Sequence, residues 1–125
     1  MENFDTITHE DLKAKFDGDE DFVLIDVLAP MSYQRAHLPG AINIDVHEDD
    51  FVEKVEAEIA DKSQEIIVYC ASFECGASPT AAGKLADAGY ENVIDYEGGL
   101  KDWAENGHDL EGEDAETVQK SLASA

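Results

Sequence analysis

Two thiols and a hydroxyl stand close together near the middle of the chain: Cys70, Cys75 and Ser78, in the run Ile66-Ile67-Val68-Tyr69-Cys70-Ala71-Ser72-Phe73-Glu74-Cys75-Gly76-Ala77-Ser78-Pro79. A cysteine attacks as its thiolate. That form is favoured where unpaired backbone N–H groups and the positive end of a helix dipole face the sulfur. Ile66, Ile67 and Val68 are β-branched and fit a strand covered on both faces. Ser78 suits an N-cap and Pro79 the first helical position. Cys70 therefore falls between a strand's carboxyl end and a helix's amino end and is the candidate nucleophile. In this reading the loop amides from Ala71 to Gly76 stabilise its anion. The competing reading is a small buried hydrophobe, since free cysteines are often core residues. Cys75 either packs inward or closes a disulfide with an oxidised Cys70. Ser72 and Ser78 either donate to the sulfur or to the loop backbone, with Ser78 as a plain N-cap the stronger statement. All of this requires a Cys70 sulfur that faces main-chain dipoles at a concave opening.

The elements that must position these residues follow from periodicity and breakers. Thr8 starts a short helix with Leu12 and Phe16 on its inner side. The cluster Gly18-Asp19-Glu20-Asp21 reads as a turn, and Phe22 to Val27 as a near-continuous apolar strand. Pro30 breaks that strand, and a helical turn spans Ser32 to Arg35. His37-Leu38-Pro39-Gly40 is a turn and Ala41 to Ile44 a short strand. Phe51, Val52, Val55 and Ile59 form one stripe of a helix predicted from His47 to about Lys62, with Asp49 and Asp50 in its first turn. Ser78 to Ala88 is a helix anchored by Leu85 and stopped by Gly89. Asn92 to Tyr96 is another strand, and Glu97-Gly98-Gly99 turns into a helix carrying Leu100 and Trp103 that Asn106-Gly107 ends. Strands alternating with helices indicate an α/β fold, a parallel sheet with helices on both faces. In such sheets reactive groups gather at the strands' carboxyl ends, where Asp26, Cys70 and the Gly98 turn all lie.

The chain has 125 residues, enough for one domain with a core of its own. We expect that domain over 5–110 and an acidic, helical tail over 111–125, with Ala115, Val118 and Leu122 on one side. No repeat or linker interrupts the chain. The opening Met1-Glu2-Asn3-Phe4-Asp5 lacks a basic segment and an apolar run, and no stretch approaches the roughly 18 apolar residues of a membrane span. The expected location is the cytoplasm, where thiols stay reduced. Thirty acidic residues against eight Lys and Arg leave a net charge of −22. Such a field repels nucleic acid and anionic membranes. It reads either as adaptation to high salt or as an ordinary solvated acidic surface. His9, His37, His47 and His108 are scattered without ligand spacing, so no metal is implied, and no organic cofactor either.

Leu24-Ile25-Asp26-Val27, Tyr33, the run His37-Leu38-Pro39-Gly40-Ala41-Ile42-Asn43-Ile44, Tyr69-Cys70, and Glu97-Gly98-Gly99 with Trp103 together resemble a single rhodanese domain. The match runs in order from about Asp5 to Gly107. It implies a three-layer α/β/α fold around a five-stranded parallel sheet. It also implies a cysteine, here Cys70, that takes a sulfane sulfur from a small donor or a persulfidated protein and passes it to a thiophilic acceptor. Two features depart from the family pattern. Leu28 and Met31 or Ser32 stand where the family commonly pairs an arginine with an acidic residue. Cys75 stands where many members have an arginine five positions after the cysteine, and the loop is about two residues longer. That loop resembles a subset with Cys-x-x-x-x-Cys and a downstream Ser, matched by Cys70, Cys75 and Ser78. The phosphatases sharing this fold need cations around the phosphate. Ala71 to Pro79 contain none, and Glu74 adds a negative charge. The same lack disfavours thiosulfate, also a dianion. Arg35 either attracts an anionic donor or pairs with a surface carboxylate. Asp26 either sets the loop by hydrogen bonding or caps its strand. His37 reads as a turn residue, and Tyr96 and Trp103 as core. Set against sulfur transfer is a non-catalytic module in which Cys70–Cys75 oxidation is a switch or the domain docks a partner.

Overall fold

The computed structural model describes residues 4–18 and 21–123. Asp19 and Glu20 of the expected turn, Met1 to Asn3, and the last two residues of the tail lie outside them. Five strands form one parallel sheet in the order β1-β5-β4-β2-β3. They are β1 (Asp5–Thr6), β2 (Val23–Asp26), β3 (Ile42–Asn43), β4 (Ile66–Tyr69) and β5 (Val93–Tyr96). Among the described residues six helices cover it: α1 (His9–Asp17), α2 (Pro30–Arg35), α3 (Phe51–Glu58), α4 (Ala77–Asp87), α5 (Gly99–Glu105) and α6 (Ala115–Ala123).

The central strand β4 is buried throughout, and its side chains divide by the period of two. Ile66 and Val68, with Cys70 just beyond them, pack against Phe51 and Val55 of α3 and Ala81, Ala82 and Leu85 of α4. Ile67 and Tyr69 face the other layer, with Leu12 of α1 and Leu100, Trp103 and Ala104 of α5. The three-layer α/β/α architecture is thus the one expected. Fully burying each of these apolar side chains contributes roughly 1.5–3 kcal/mol.

Several local expectations are corrected. Helix α4 begins at Ala77, not Ser78; Gly76 holds the N-cap position without a side-chain cap. Ser78 and Pro79 then occupy the first turn, where a missing N–H costs nothing because those donors have no partner within the helix. Helix α3 covers only Phe51–Glu58, so Asp49 and Asp50 precede it and Lys62 lies past its end. Ile59 leaves the helix at φ −131° and still reaches the core, while its carbonyl accepts the Tyr90 hydroxyl at 2.5 Å. Pro30 opens α2 at its first turn. The two-residue β1 has no pattern long enough to read from sequence.

The segment after Leu110 does not trail free. Glu111 and His37 exchange backbone hydrogen bonds at 2.8 and 2.9 Å. Gln119 of α6 accepts from the Leu110 N–H at 3.2 Å and donates to the His108 carbonyl at 2.7 Å, while Val118 and Leu122 pack on the α5 cluster. Among the described residues no helix is long and apolar enough to cross a membrane.

Candidate active site

The carboxyl edge of the sheet is built by three neighbouring strand ends. β2 pairs with β4 so that Asp26 stands opposite Tyr69, and β5 pairs so that Tyr96 also stands opposite Tyr69. Asp26, Cys70 and Gly98 therefore share one rim. The start of α5 pins the first residues after β4: the Leu100 N–H donates to the Cys70 carbonyl at 3.1 Å and the Lys101 N–H to the Ala71 carbonyl at 2.9 Å. Gly99 makes this approach possible. It has φ +61°, and a Cβ there would lie 2.2 Å from the Cys70 carbonyl oxygen. Gly98 is also tight, its missing Cβ aimed at the Asp102 side chain.

Beyond Ala71 the loop folds on itself. Ser72 accepts from the Cys75 N–H through its carbonyl at 3.1 Å and from the Glu74 N–H through its hydroxyl at 3.3 Å. Its hydroxyl thus serves the turn. Phe73 is an exposed large apolar side chain, and Glu74 is exposed as well. Ser78 is buried, and its hydroxyl lies 3.4 Å from the Cys70 sulfur. Ser78 is therefore a partner of the sulfur and not the cap of α4.

The two sulfurs have opposite surroundings. Cys70 has no exposed surface; its thiol donates weakly to the Cys75 carbonyl at 3.6 Å and to the Ser78 hydroxyl. Burial pushes its pKa up, the hydrogen bond to the Cys75 side chain adds to the rise, and the Ser78 hydroxyl and N–H oppose it. Burial acts on Cys75 too, but there the Cys70 S–H and the backbone N–H groups of Ala71 and Ala77 outweigh it, and the pKa is lowered. The expectation of a thiolate-favouring setting is corrected at Cys70, where burial holds the pKa up; the backbone N–H groups of Ala71 and Ala77 lower that of Cys75 instead. The reason is the strand period, which sends Cys70 to the same face as Val68, beneath α4.

Clefts follow the same division. One of about 520 Å³ is lined by Cys75, Gly76, Ala77, Thr80 and Lys84 of the loop and α4, with His47 opposite. Cys70 does not line it, so the concave opening expected at the Cys70 sulfur is corrected: that sulfur lies in the apolar cluster beneath α4. A second, of about 200 Å³, is lined by Ala71, Arg35, Leu100 and residues of α6. Arg35 lies there, exposed, with its Nε 3.5 Å from Asp114. Lys84 was missed by sequence reasoning confined to the loop. The signal was present, since Ala77, Thr80 and Lys84 recur at the three- and four-residue spacing of one helix face.

Asp26 does not touch the loop. It accepts from the Leu28 N–H at 2.9 Å and the Tyr69 hydroxyl at 3.0 Å, and that hydroxyl accepts from the Leu38 N–H at 2.9 Å. It ties the ends of β2 and β4 to the His37–Gly40 turn. The His37 ring stacks on Tyr33 with centroids 4.0 Å apart, its Nδ1 2.8 Å from the Tyr33 carbonyl, which is a structural position. Trp103 and Tyr96 are buried. Among the described residues no three His, Cys, Asp or Glu side chains are grouped to hold a metal ion.

Comparison with known proteins gives a consistent picture. The model of the family described as rhodanese-like domain matches residues 8–106. The thiosulfate:glutathione sulfurtransferase of Saccharomyces cerevisiae is 32% identical over 120 residues, covering 87% of this chain and 84% of that protein. The solution structure of a rhodanese-like domain from an Anabaena protein superposes with TM-score 0.76 at 30% identity, covering 91% of this chain and 82% of that one. A Bacillus halodurans protein of known structure superposes with TM-score 0.80 at 25% identity, covering 96% of this chain and 90% of that one.

Proposed function

The chain belongs to the rhodanese-like family, and from that premise we propose that it is a sulfurtransferase that carries a sulfane sulfur as a persulfide on its Cys70–Cys75 loop. The observation that carries this reading is the gathering of both thiols and the Ser78 hydroxyl at the sheet's carboxyl rim, beside a cleft of about 520 Å³. A loop thiolate attacks the outer sulfur of a donor R–S–SH. The donor's S–S bond breaks, R–S⁻ leaves, and a protein persulfide remains. An acceptor thiolate later takes the outer sulfur and the protein thiolate is restored. Cys70, directly after β4, holds the place of the carrier. Ser78 supports it by donating to its sulfur when ionised.

Intact mass tests the reading. The reduced protein, given a persulfide donor, gains one sulfur that a thiol acceptor removes, and the Cys70→Ser/Cys75→Ser double variant gains none. A wild type that gains no sulfur overturns it.

The donor we favour is a low-molecular-weight or protein persulfide and not thiosulfate. Glu74 and the net charge of −22 oppose a dianion, and against them the cleft's lining residues set a single lysine, Lys84. Thiosulfate is expected to saturate only at millimolar concentration or above. A steady-state assay saturating well below that contradicts the preference.

A further inference from the structure

Resting on the sulfurtransferase reading, we propose that Cys75 is the gate thiol: it alone meets donor and acceptor, and Cys70 is an enclosed store filled from Cys75. Three observations carry this. Cys75 lines the large cleft, whereas Cys70 has no exposed surface and lines neither of the two clefts described above. The backbone N–H groups of Ala71 and Ala77 hold the Cys75 pKa down, which suits an anion. The Cys70 sulfur lies 3.6 Å from the Cys75 carbonyl oxygen, so the two thiols share one turn of the loop and sulfur can pass between them without leaving the protein.

In the first step the Cys75 thiolate attacks the outer sulfur of R–S–SH. The bond to R–S breaks, and the leaving thiolate takes up the proton, giving R–SH and Cys75–S–S⁻. In the second step the Cys70 sulfur attacks the outer sulfur of that persulfide. The Cys75–S bond breaks, and the Cys70 proton passes to the Cys75 sulfur, giving Cys70–S–S⁻ and Cys75–SH. No oxidant is consumed. The thiol of lower pKa leaves faster, which suits Cys75 as the leaving group of the inward step. Lys84, on the wall of the Cys75 cleft, places a positive charge beside the entering persulfide. The acceptor takes the sulfur by reversal of the second step and attack on Cys75–S–S⁻.

The test uses the full chain with glutathione persulfide, rapid quenching by alkylation and peptide mapping. In the wild type sulfur is expected first on Cys75 and later on Cys70. In Cys70→Ser it stays on Cys75. In Cys75→Ser and Cys75→Ala, loading of Cys70 is expected to fall by about tenfold or more; circular dichroism checks that both variants fold, as expected at this half-exposed position. Brief iodoacetamide treatment of the untreated wild type is expected to label Cys75 before Cys70. Wild-type loading of Cys70 in both Cys75 variants, or labelling in the reverse order, overturns the gate and leaves the sulfurtransferase reading standing. A wild type that takes no sulfur overturns both.

Discussion

A carboxyl enclosed at the end of a strand holds its proton more tightly than one in water, and Asp26 is such a group. Burial raises its pKa from 3.8 to about 6, against the pull of hydrogen bonds from Leu28 and Tyr69. The folded protein keeps this proton where the unfolded chain has lost it. Stability therefore falls as the pH rises from about 4 to about 6, and the cost is constant above that. Two pKa units correspond to roughly 3 kcal/mol. Asp26→Asn removes the titration, so the difference in urea-unfolding free energy between wild type and variant is expected to change with pH across that window and to be flat above it. A difference that is flat throughout contradicts the burial argument. The thiol pair shows the same physics acting on neighbours. Cys70 sits two residues after Val68, so the period of two, legible in the sequence, already places its sulfur under α4. Adjacency to a helix start suggests an anion there, and only the folded loop shows burial raising the Cys70 pKa while that of Cys75 is lowered.

The elements hold this edge through backbone contacts that tolerate little change. Gly99→Ala puts a Cβ 2.2 Å from the Cys70 carbonyl at φ +61°. It is expected to destabilise the protein by about 2 kcal/mol or more in urea unfolding. Alkylation of Cys70 is expected to quicken with it, because the Leu100 and Lys101 N–H bonds that clamp the loop are displaced. Normal stability would show that α5 can retreat without cost. The central strands β2 and β4, and α5 with its Gly98-Gly99 turn, were legible because apolar runs and glycine punctuation carry direct physical meaning. The start of α4 was misread because Ser-Pro is a good start signal, yet the Ser78 hydroxyl is turned inward to the sulfur. The ends of α3 were misread because acidic residues before Phe51 and Lys62 after Glu58 imitate a dipole-matched helix. In the fold Lys62 instead bonds Glu56 at 2.7 Å and the Ala88 carbonyl at 2.9 Å.

At the scale of the molecule, charge and the carboxyl-terminal helix dominate. Thirty acidic residues face eight Lys and Arg, and exposed pairs such as Lys13–Asp17 and Arg35–Asp114 offset little of that repulsion. Screening is expected to raise the thermal midpoint steadily from low salt to about 1 M KCl; a midpoint that falls would show that the ion pairs outweigh the repulsion. Removal of residues 115–125 uncovers the α5 surface under Val118 and Leu122 and is expected to cost roughly 2–4 kcal/mol in urea unfolding. An unchanged midpoint would mean that α6 contributes no net burial. The flanks of the sheet have their own bearing on crowded solutions. β1 and β3, its outermost members, are only two residues long each. A visiting chain finds no extended template to lengthen at either side, and like-signed molecules repel before they touch. Fibrous stacking is therefore expected to lack both a seed and an approach.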